Sequence, residues 1–299
     1  MKELNSLSHE FYGDDMKNGG KKGFQKLKHL ELKNMSNLGE WCGSLEGEFP
    51  CLEKFMIKDC PKIRKLPPVL PTVKELEIKH CDALTSLPRL PSIQDLILVN
   101  CDERILNCVQ HCSSLTSLLI SEFQNAINLP QAMFRSLAST LRRLEIENFS
   151  KLLTLEDVGL QELVYVQDLT LSGCNSLTSF PKGLHKLISL ERLSISCCDQ
   201  LVSFPLVDDG VKPLAIKSLK IHLCENFRSL PRGLHYLSSL QELAIDDCEN
   251  ITFLPDEGLP TSLRRLTITR CPDLNIRCQK GGEDWPKIAH IPDVNIRRW

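Results

Sequence analysis

Between Leu27 and Leu274 one phrase returns about eleven times: an aliphatic residue, two variable ones, an aliphatic, one variable, an aliphatic, two variable, then usually cysteine. Val73, Leu76, Ile78 and Cys81 form one copy; Leu190, Leu193, Ile195 and Cys198 form another; Leu240, Leu243, Ile245 and Cys248 a third. Copies start at Leu27, Leu52, Val73, Ile93, Leu115, Leu141, Val166, Leu190, Ile216, Leu240 and Leu263, spaced 20 to 26 residues apart. A unit this short cannot bury its apolar face alone, so the copies must stack and cover one another.

Within each copy the aliphatic residues alternate with period two, which predicts a short strand with one face buried. The spacing lies in the range of leucine-rich repeats, about 20–29 residues. After the cysteine a second phrase recurs, as in Leu84 to Pro88, Leu177 to Pro181, Leu201 to Pro205, Phe227 to Pro231 and Ile251 to Pro255. Proline donates no backbone hydrogen bond and resists helix interiors, so this return arm is expected to be extended or irregular. Gly183 to Leu187 and Gly233 to Leu237 fit one tight 3-10 turn each. Glu103 to His111 has the spacing of a short amphipathic helix in place of a proline arm. The predicted fold is therefore α/β but β-rich: a leucine-rich-repeat solenoid over 24–278, its curved parallel sheet on the concave face and irregular or 3-10 arms outside. A polar segment, 1–23, precedes it, with a loop-like Gly19 to Gly23. A cap or tail, 279–299, follows, in which Trp285, Ile288 and Ile291 cover the last strand. Nothing comparable precedes Leu27, so the chain is expected to be a fragment of a longer protein whose earlier repeats seal that edge.

Fourteen cysteines in 299 residues would suggest disulfides in a small secreted protein. Their placement argues for reduced thiols instead. Cys60, Cys81, Cys101, Cys174, Cys198, Cys224, Cys248 and Cys271 hold the same slot of the repeat, where stacking makes them a buried column of small hydrophobes. Phe123 and Phe149 replace cysteine in that slot. The net charge of −2 gives no reason to expect a nucleic-acid or acidic-membrane partner. The residues after Met1 are too polar for a secretory signal, and no apolar run is long enough to span a bilayer.

A set of phrases in a fixed order resembles one family. Glu10 to Gly13, Gly47 to Leu52, Ile57 to Lys62, the repeated Leu-Thr-Ser-Leu/Phe-Pro arm and Asp284 to Pro292 look like the C-terminal repeats of plant intracellular disease-resistance proteins of the coiled-coil, nucleotide-binding class. The likeness runs over nearly the whole chain. It implies a cytoplasmic or nuclear recognition module that senses a pathogen effector or a guarded host protein. It further implies contact with the receptor's own nucleotide-binding domain. That domain is not in this sequence: phosphate cradling needs G-x-x-x-x-G-K-[ST], and Gly20, Lys21 and Lys22 have neither the spacing nor the hydroxyl. No cofactor is expected.

Side chains between the buried aliphatics point out of the sheet. On that face Met56, Glu77, Ile97, Val99, Leu119, Glu145 and Lys220 are the candidate protein-binding residues, because clustered apolar side chains on an open surface mark interaction sites. A flanking row, Lys54, Glu75, Asp95, Arg143, Asp168, Arg192, Glu242 and Arg265, mixes signs and is expected to pair laterally. Cys101, Cys108, His111 and Cys112 are the one local group of metal-ligand types, but their spacing is not that of a zinc site. No G-x-S-x-G elbow suggests a hydrolase. Recognition is favoured over catalysis. The second reading is a substrate receptor of a ubiquitin ligase, disfavoured by the proline arms and variable spacing. An extracellular receptor ectodomain is a third, disfavoured by the missing signal.

Overall fold

A computed structural model describes residues 4–7, 11, 24–41, 49–180, 183–203, 214–231 and 233–297. The loop expected at Gly19 to Gly23, the Glu10, Tyr12, Gly13 and Gly47–Glu48 parts of the family likeness, and Pro181, Phe204 and Pro205 of the arms lie outside these residues. The chain divides into two compact units, Met1–Phe123 with Ala132–Leu141, and Gln124–Gln131 with Arg142–Trp299.

In the first unit the phrase becomes five parallel strands, His29–Lys33, Lys54–Lys58, Glu75–Cys81, Asp95–Cys101 and Ser117–Ser121. Their register places equivalent residues side by side: Leu32, Ile57, Ile78, Leu98 and Ile120 form one buried row. The second unit holds Arg143–Glu147, Asp168–Ser172, Arg192–Ser196, Ser218–His222, Glu242–Asp246, Arg265–Thr269 and Asp293–Arg297, again parallel and in register. Each unit is a leucine-rich-repeat solenoid, with strands on one side and short arms on the other. The alternation does the sorting: in Arg192–Ser196, Leu193 and Ile195 are buried and Arg192 is exposed. Each buried aliphatic stabilises its unit by about 1.5–3 kcal/mol.

Of the residues expected in the core, Leu76, Ile78, Leu118, Ile120, Leu193, Ile195, Leu243, Ile245 and Ile268 are buried. Leu27 and Leu30 are only half-buried. Leu30 lies in the strand His29–Lys33 and Leu27 just before it; that strand pairs with Lys54–Lys58 on one side, and among the described residues no second neighbour strand covers it.

The strand ends at a backbone feature that the letters alone do not announce. The residue before the cysteine slot is left-handed in every repeat: Asn34, Asp59, His80, Asn100, Glu122, Asn148, Gly173, Cys197, Leu223, Asp247 and Arg270 all have positive φ. This reversal turns the next side chain inward. It leaves the N–H free to extend the ladder, as from Asp59 to the Lys79 carbonyl at 3.0 Å and from Asp247 to the Thr269 carbonyl at 3.0 Å. Asparagine, aspartate and glycine tolerate this region; leucine does not. Leu223, at φ 50, is also exposed. Leu223→Asn should therefore raise stability by about 0.5–1 kcal/mol. A urea midpoint unchanged or lowered by the substitution would contradict this.

The cysteines fill the slot as expected. Cys60, Cys81, Cys174, Cys198, Cys224, Cys248 and Cys271 are wholly buried and Cys101 nearly so. Each thiol donates to the carbonyl two residues earlier, as Cys198 does to Ser196 at 3.4 Å and Cys271 to Thr269 at 3.2 Å. Burial pushes Cys81 and Cys101 up to about 12 and Cys271 up to about 11, so these thiols stay protonated and unreactive at neutral pH. Native labelling with a thiol reagent should modify exposed Cys51 quickly and the column only on unfolding. Fast labelling of Cys81 or Cys248 would contradict the packing. Cys198→Ser, which puts a hydroxyl in an apolar slot, should cost about 1–3 kcal/mol.

On the other side the expected turns are present. Leu184–Lys186 and Leu234–Tyr236 are 3-10 turns, each entered through a left-handed glycine, Gly183 or Gly233. Leu160–Glu162 is a third, after Gly159. Glu103–His111 is a nine-residue 3-10 helix, capped by Asp102, whose carboxylate accepts from the Arg104 N–H at 2.9 Å.

Both chain ends hold more structure than the sequence reading assigns. Ile288 and Ile291 are buried and Trp285 half-buried, but a helix, Pro272–Arg277, precedes the tail, and the tail itself forms a short helix, Trp285–Ile288, and a further strand, Asp293–Arg297, paired with Arg265–Thr269. Within 1–23, Ser6–Leu7 pairs with Glu40–Trp41, and Leu7 is buried. Phe11 packs on Phe24 at 5.1 Å and edge-on to Trp41 at 6.1 Å, and Trp41 meets Phe55 of the second strand at 5.6 Å. The segment expected to be a bare polar lead thus contributes aromatic packing, because Leu7 and Phe11 are isolated apolar residues that no periodic pattern picks out.

Candidate recognition surface

The open face of each sheet is what the strand alternation leaves to solvent. In the first unit Met56, Glu77, Ile97 and Leu119 stand in register in one row and are half-buried. Val99 does not belong with them. It is 8% exposed, in register between Lys79 and Ser121, and Ser121 is buried too. A short branched side chain flanked on both sides at strand spacing is walled in by its neighbours. Glu77 and Lys79 pair along their own strand at 2.7 Å, and Lys54 pairs across to Glu75 at 2.6 Å.

The second unit carries a trough of about 450 Å³ on the open face of its own sheet. Its floor is Glu145, Thr170, Ser194 and Lys220; its wall is Arg143, Asp168, Arg192, Ser218 and Glu242. The wall is a chain of paired charges. Asp168 accepts from the Arg192 guanidinium, with Nη2 at 2.9 Å, and lies 3.8 Å from Arg143. Glu242 accepts the Ser218 hydroxyl at 2.9 Å and lies 3.9 Å from Lys220 and 3.7 Å from Arg265. Arg265 reaches Asp293 at 3.0 Å. Burial, reinforced by Glu145, raises the Glu147 carboxyl above its ordinary value. Half-exposed pairs like these stabilise a fold by about 0–1 kcal/mol each. What they do is hold the long side chains in place.

The structure thus keeps Glu145 and Lys220 in one trough of the second unit and Met56, Glu77, Ile97 and Leu119 in one row of the first. It adds Arg143, Asp168, Arg192 and Glu242, which the sequence suggested only as a structural ladder. Among the described residues the most exposed large apolar side chains lie elsewhere, outside the sheet strands: Ile127, Leu153, Tyr165, Ile188, Val202, Tyr236, Phe253 and Ile276. Ile127, Leu153 and Val202 share the slot after the buried arm residue, and the Leu153 N–H donates to the Ile127 carbonyl at 3.0 Å. That slot also holds Thr178, Arg228 and Thr252, so no pattern announces it. Arg142 lies over the Tyr165 ring, 4.9 Å from its centre. Among the described residues no three His, Cys, Asp or Glu side chains gather as a metal site, and no helix is long and apolar enough to cross a membrane. Cys101 stands in the thiol column, and Cys108 accepts the Leu87 N–H at 3.5 Å.

No family model matches the chain. Among curated proteins, it is 32% identical over 111 residues to the candidate disease resistance protein RGA1 of Solanum bulbocastanum, covering 36% of this chain and 11% of that one. It is 35% identical over 98 residues to the candidate disease resistance protein At3g14460 of Arabidopsis thaliana, covering 27% and 7%. It is 33% identical over 95 residues to disease resistance protein RPP8 of the same plant, covering 28% and 10%. The matches span about a tenth of the length of these relatives. Among solved structures, the chain is similar to the leucine-rich repeat domain of the type III effector XCV3220 (XopL), with a TM-score of 0.40, 22% identity, and 84% and 70% of the two chains covered. It is also similar to an internalin (inlF) from Listeria monocytogenes, with a TM-score of 0.44, 14% identity, and 92% and 83% covered. Over about a third of its length this leucine-rich-repeat protein is a homologue of plant disease resistance proteins.

Proposed function

We propose that the chain is the protein-recognition module of a plant immune receptor, working inside the cell and sensing a pathogen effector or a guarded host protein through the open face of its sheets. The observation that carries this reading is the trough of the second unit. Its long charged side chains are held by partial pairing beside a floor in which Thr170 and Ser194 lie between Glu145 and Lys220, an arrangement that favours specificity and fast encounter with a charged protein surface. In the first unit, Met56, Ile97 and Leu119 offer half-exposed apolar contact beside Glu77. The relatives are disease resistance proteins, which supports defence as the setting. The module itself supplies binding, not the nucleotide switch.

The test is a binding screen of the purified chain against secreted proteins of plant pathogens and host defence proteins. A partner should emerge whose affinity falls at least tenfold, about 1.4 kcal/mol, with Arg192→Glu and again with Lys220→Glu. Ile97→Asp should weaken it as well. A screen without any binder, or a partner that tolerates both charge reversals, would overturn the reading.

A further inference from the structure

The ladder of the second unit stops at Asp293–Arg297, which pairs in parallel with Arg265–Thr269 on one side. On its other side, among the described residues, there is no strand. The bonds at its two ends show which backbone groups are in use. The Asp293 N–H donates to the Arg264 carbonyl at 3.1 Å, and the Arg297 carbonyl accepts from the Arg270 N–H at 3.1 Å. A strand residue sends its N–H and C=O to one side, and the next residue sends them to the other. Asp293, Asn295 and Arg297 therefore serve Arg265–Thr269, while the N–H and C=O of Val294 and Ile296 face outward. Among the described residues no other strand or turn takes those four groups up. The side chains show the same want of a neighbour: Leu266 and Ile268 are buried, but Val294 and Ile296, in register with them, are half-buried.

Charge on an open edge commonly keeps a second chain away. Here its arrangement does the reverse. The strand reads Asp293, Val294, Asn295, Ile296, Arg297, acidic at one end and basic at the other. Turned antiparallel onto itself about Asn295, it sets Asp293 of each copy against Arg297 of the other. The same register puts Val294 opposite Ile296, the two residues with outward backbone groups, so the strands exchange four main-chain hydrogen bonds. Asp293 and Arg297 then fall in the pairs without main-chain bonds, where side chains lie closer. Sliding by two residues either way keeps outward groups facing but loses both charge pairs. Arg297 is exposed, its Nε donates to Asn295 Oδ1 at 2.9 Å, and no carboxylate among the described residues pairs with it. Asp293 is exposed too, 3.0 Å from Arg265.

We propose that the chain dimerises with a second copy of itself by antiparallel pairing of Asp293–Arg297 about Asn295. A two-fold axis normal to the sheet relates the copies, so the contact is isologous and closes at two. It also joins the half-buried Val294 and Ile296 of both copies into one row. The interface is small and belongs to the weak class. It does not depend on the sheet-face reading above.

Sedimentation velocity of the full chain from about 5 to 500 µM, a range suited to a weak interface, should show a monomer passing into a dimer and nothing larger. Asp293→Arg and Arg297→Asp should each weaken dimerisation about tenfold or more, because two opposite-charge pairs become two like-charge pairs. Mixed one to one, these two variants should dimerise as well as wild type, since every introduced charge then meets its opposite. Ile296→Pro removes one outward N–H but none of the bonds to Arg265–Thr269, and proline is tolerated at a sheet edge. It should weaken the dimer with every charge in place, which contact by charge alone would not produce. A chain monomeric throughout, species larger than dimers, a mixture that stays monomeric, or indifference to Ile296→Pro would each overturn the proposal.

Discussion

Asp284→Ala should be among the most destabilising single substitutions in the second unit, at about 3–5 kcal/mol. The carboxylate is 1% exposed and serves three donors: the Leu254 N–H at 3.0 Å, Arg277 Nε at 3.0 Å and Lys287 at 2.9 Å. Removing it leaves a buried N–H unsatisfied and two cations without their common partner. It also removes one link between the Trp285–Ile288 segment and the last proline arm, another being the Lys287 ammonium donating to the Leu254 carbonyl at 2.9 Å. Asp284→Asn should cost less, because an amide oxygen can still accept from Leu254. Burial alone would raise the Asp284 carboxyl; the hydrogen bonds from Arg277, Leu254 and Lys287 outweigh it and hold it below the ordinary value. A depressed carboxylate contributes stability that is complete above the unfolded value, about 4, and is lost as pH falls through the folded value. The difference between wild type and Asp284→Asn should therefore be large at pH 7 and shrink below about pH 4. Urea unfolding at several pH values tests this; a constant difference would contradict it.

Phe149→Ala should cost a similar amount, about 3–5 kcal/mol, by opening a cavity in the slot that Cys174 fills in the next repeat. Phe149 is wholly buried, and its carbonyl closes the turn by accepting from the Leu152 N–H at 3.3 Å. Phe149→Cys restores the commoner residue of the slot but not the volume, so it should cost less than alanine while remaining destabilising. A loss below about 1 kcal/mol for alanine would mean that the surrounding repeats collapse to fill the space.

These two residues mark the boundary of what the sequence discloses. Period-two alternation is enforced by burial at every copy, so Leu76, Ile78, Leu193 and Ile245 could be placed without coordinates, and the cysteine slot followed from its repetition. The left-handed residue before that slot could not, because stacking imposes the conformation on asparagine, leucine and arginine alike. Asp284 reads as one more charged residue in a polar tail; only folding brings Leu254, Arg277 and Lys287 around it. Val99 departs from the pattern for the opposite reason. Alternation places it on the open face, but its neighbours in register decide its exposure.

We propose the open sheet face as the recognition surface. Hydrogen–deuterium exchange of the chain with and without the partner found by the binding screen tests it most directly. The account predicts slowed exchange in the strands Arg143–Glu147, Asp168–Ser172, Arg192–Ser196 and Ser218–His222. Protection confined to the turns Leu160–Glu162, Leu184–Lys186 and Leu234–Tyr236, with those strands unchanged, would contradict it.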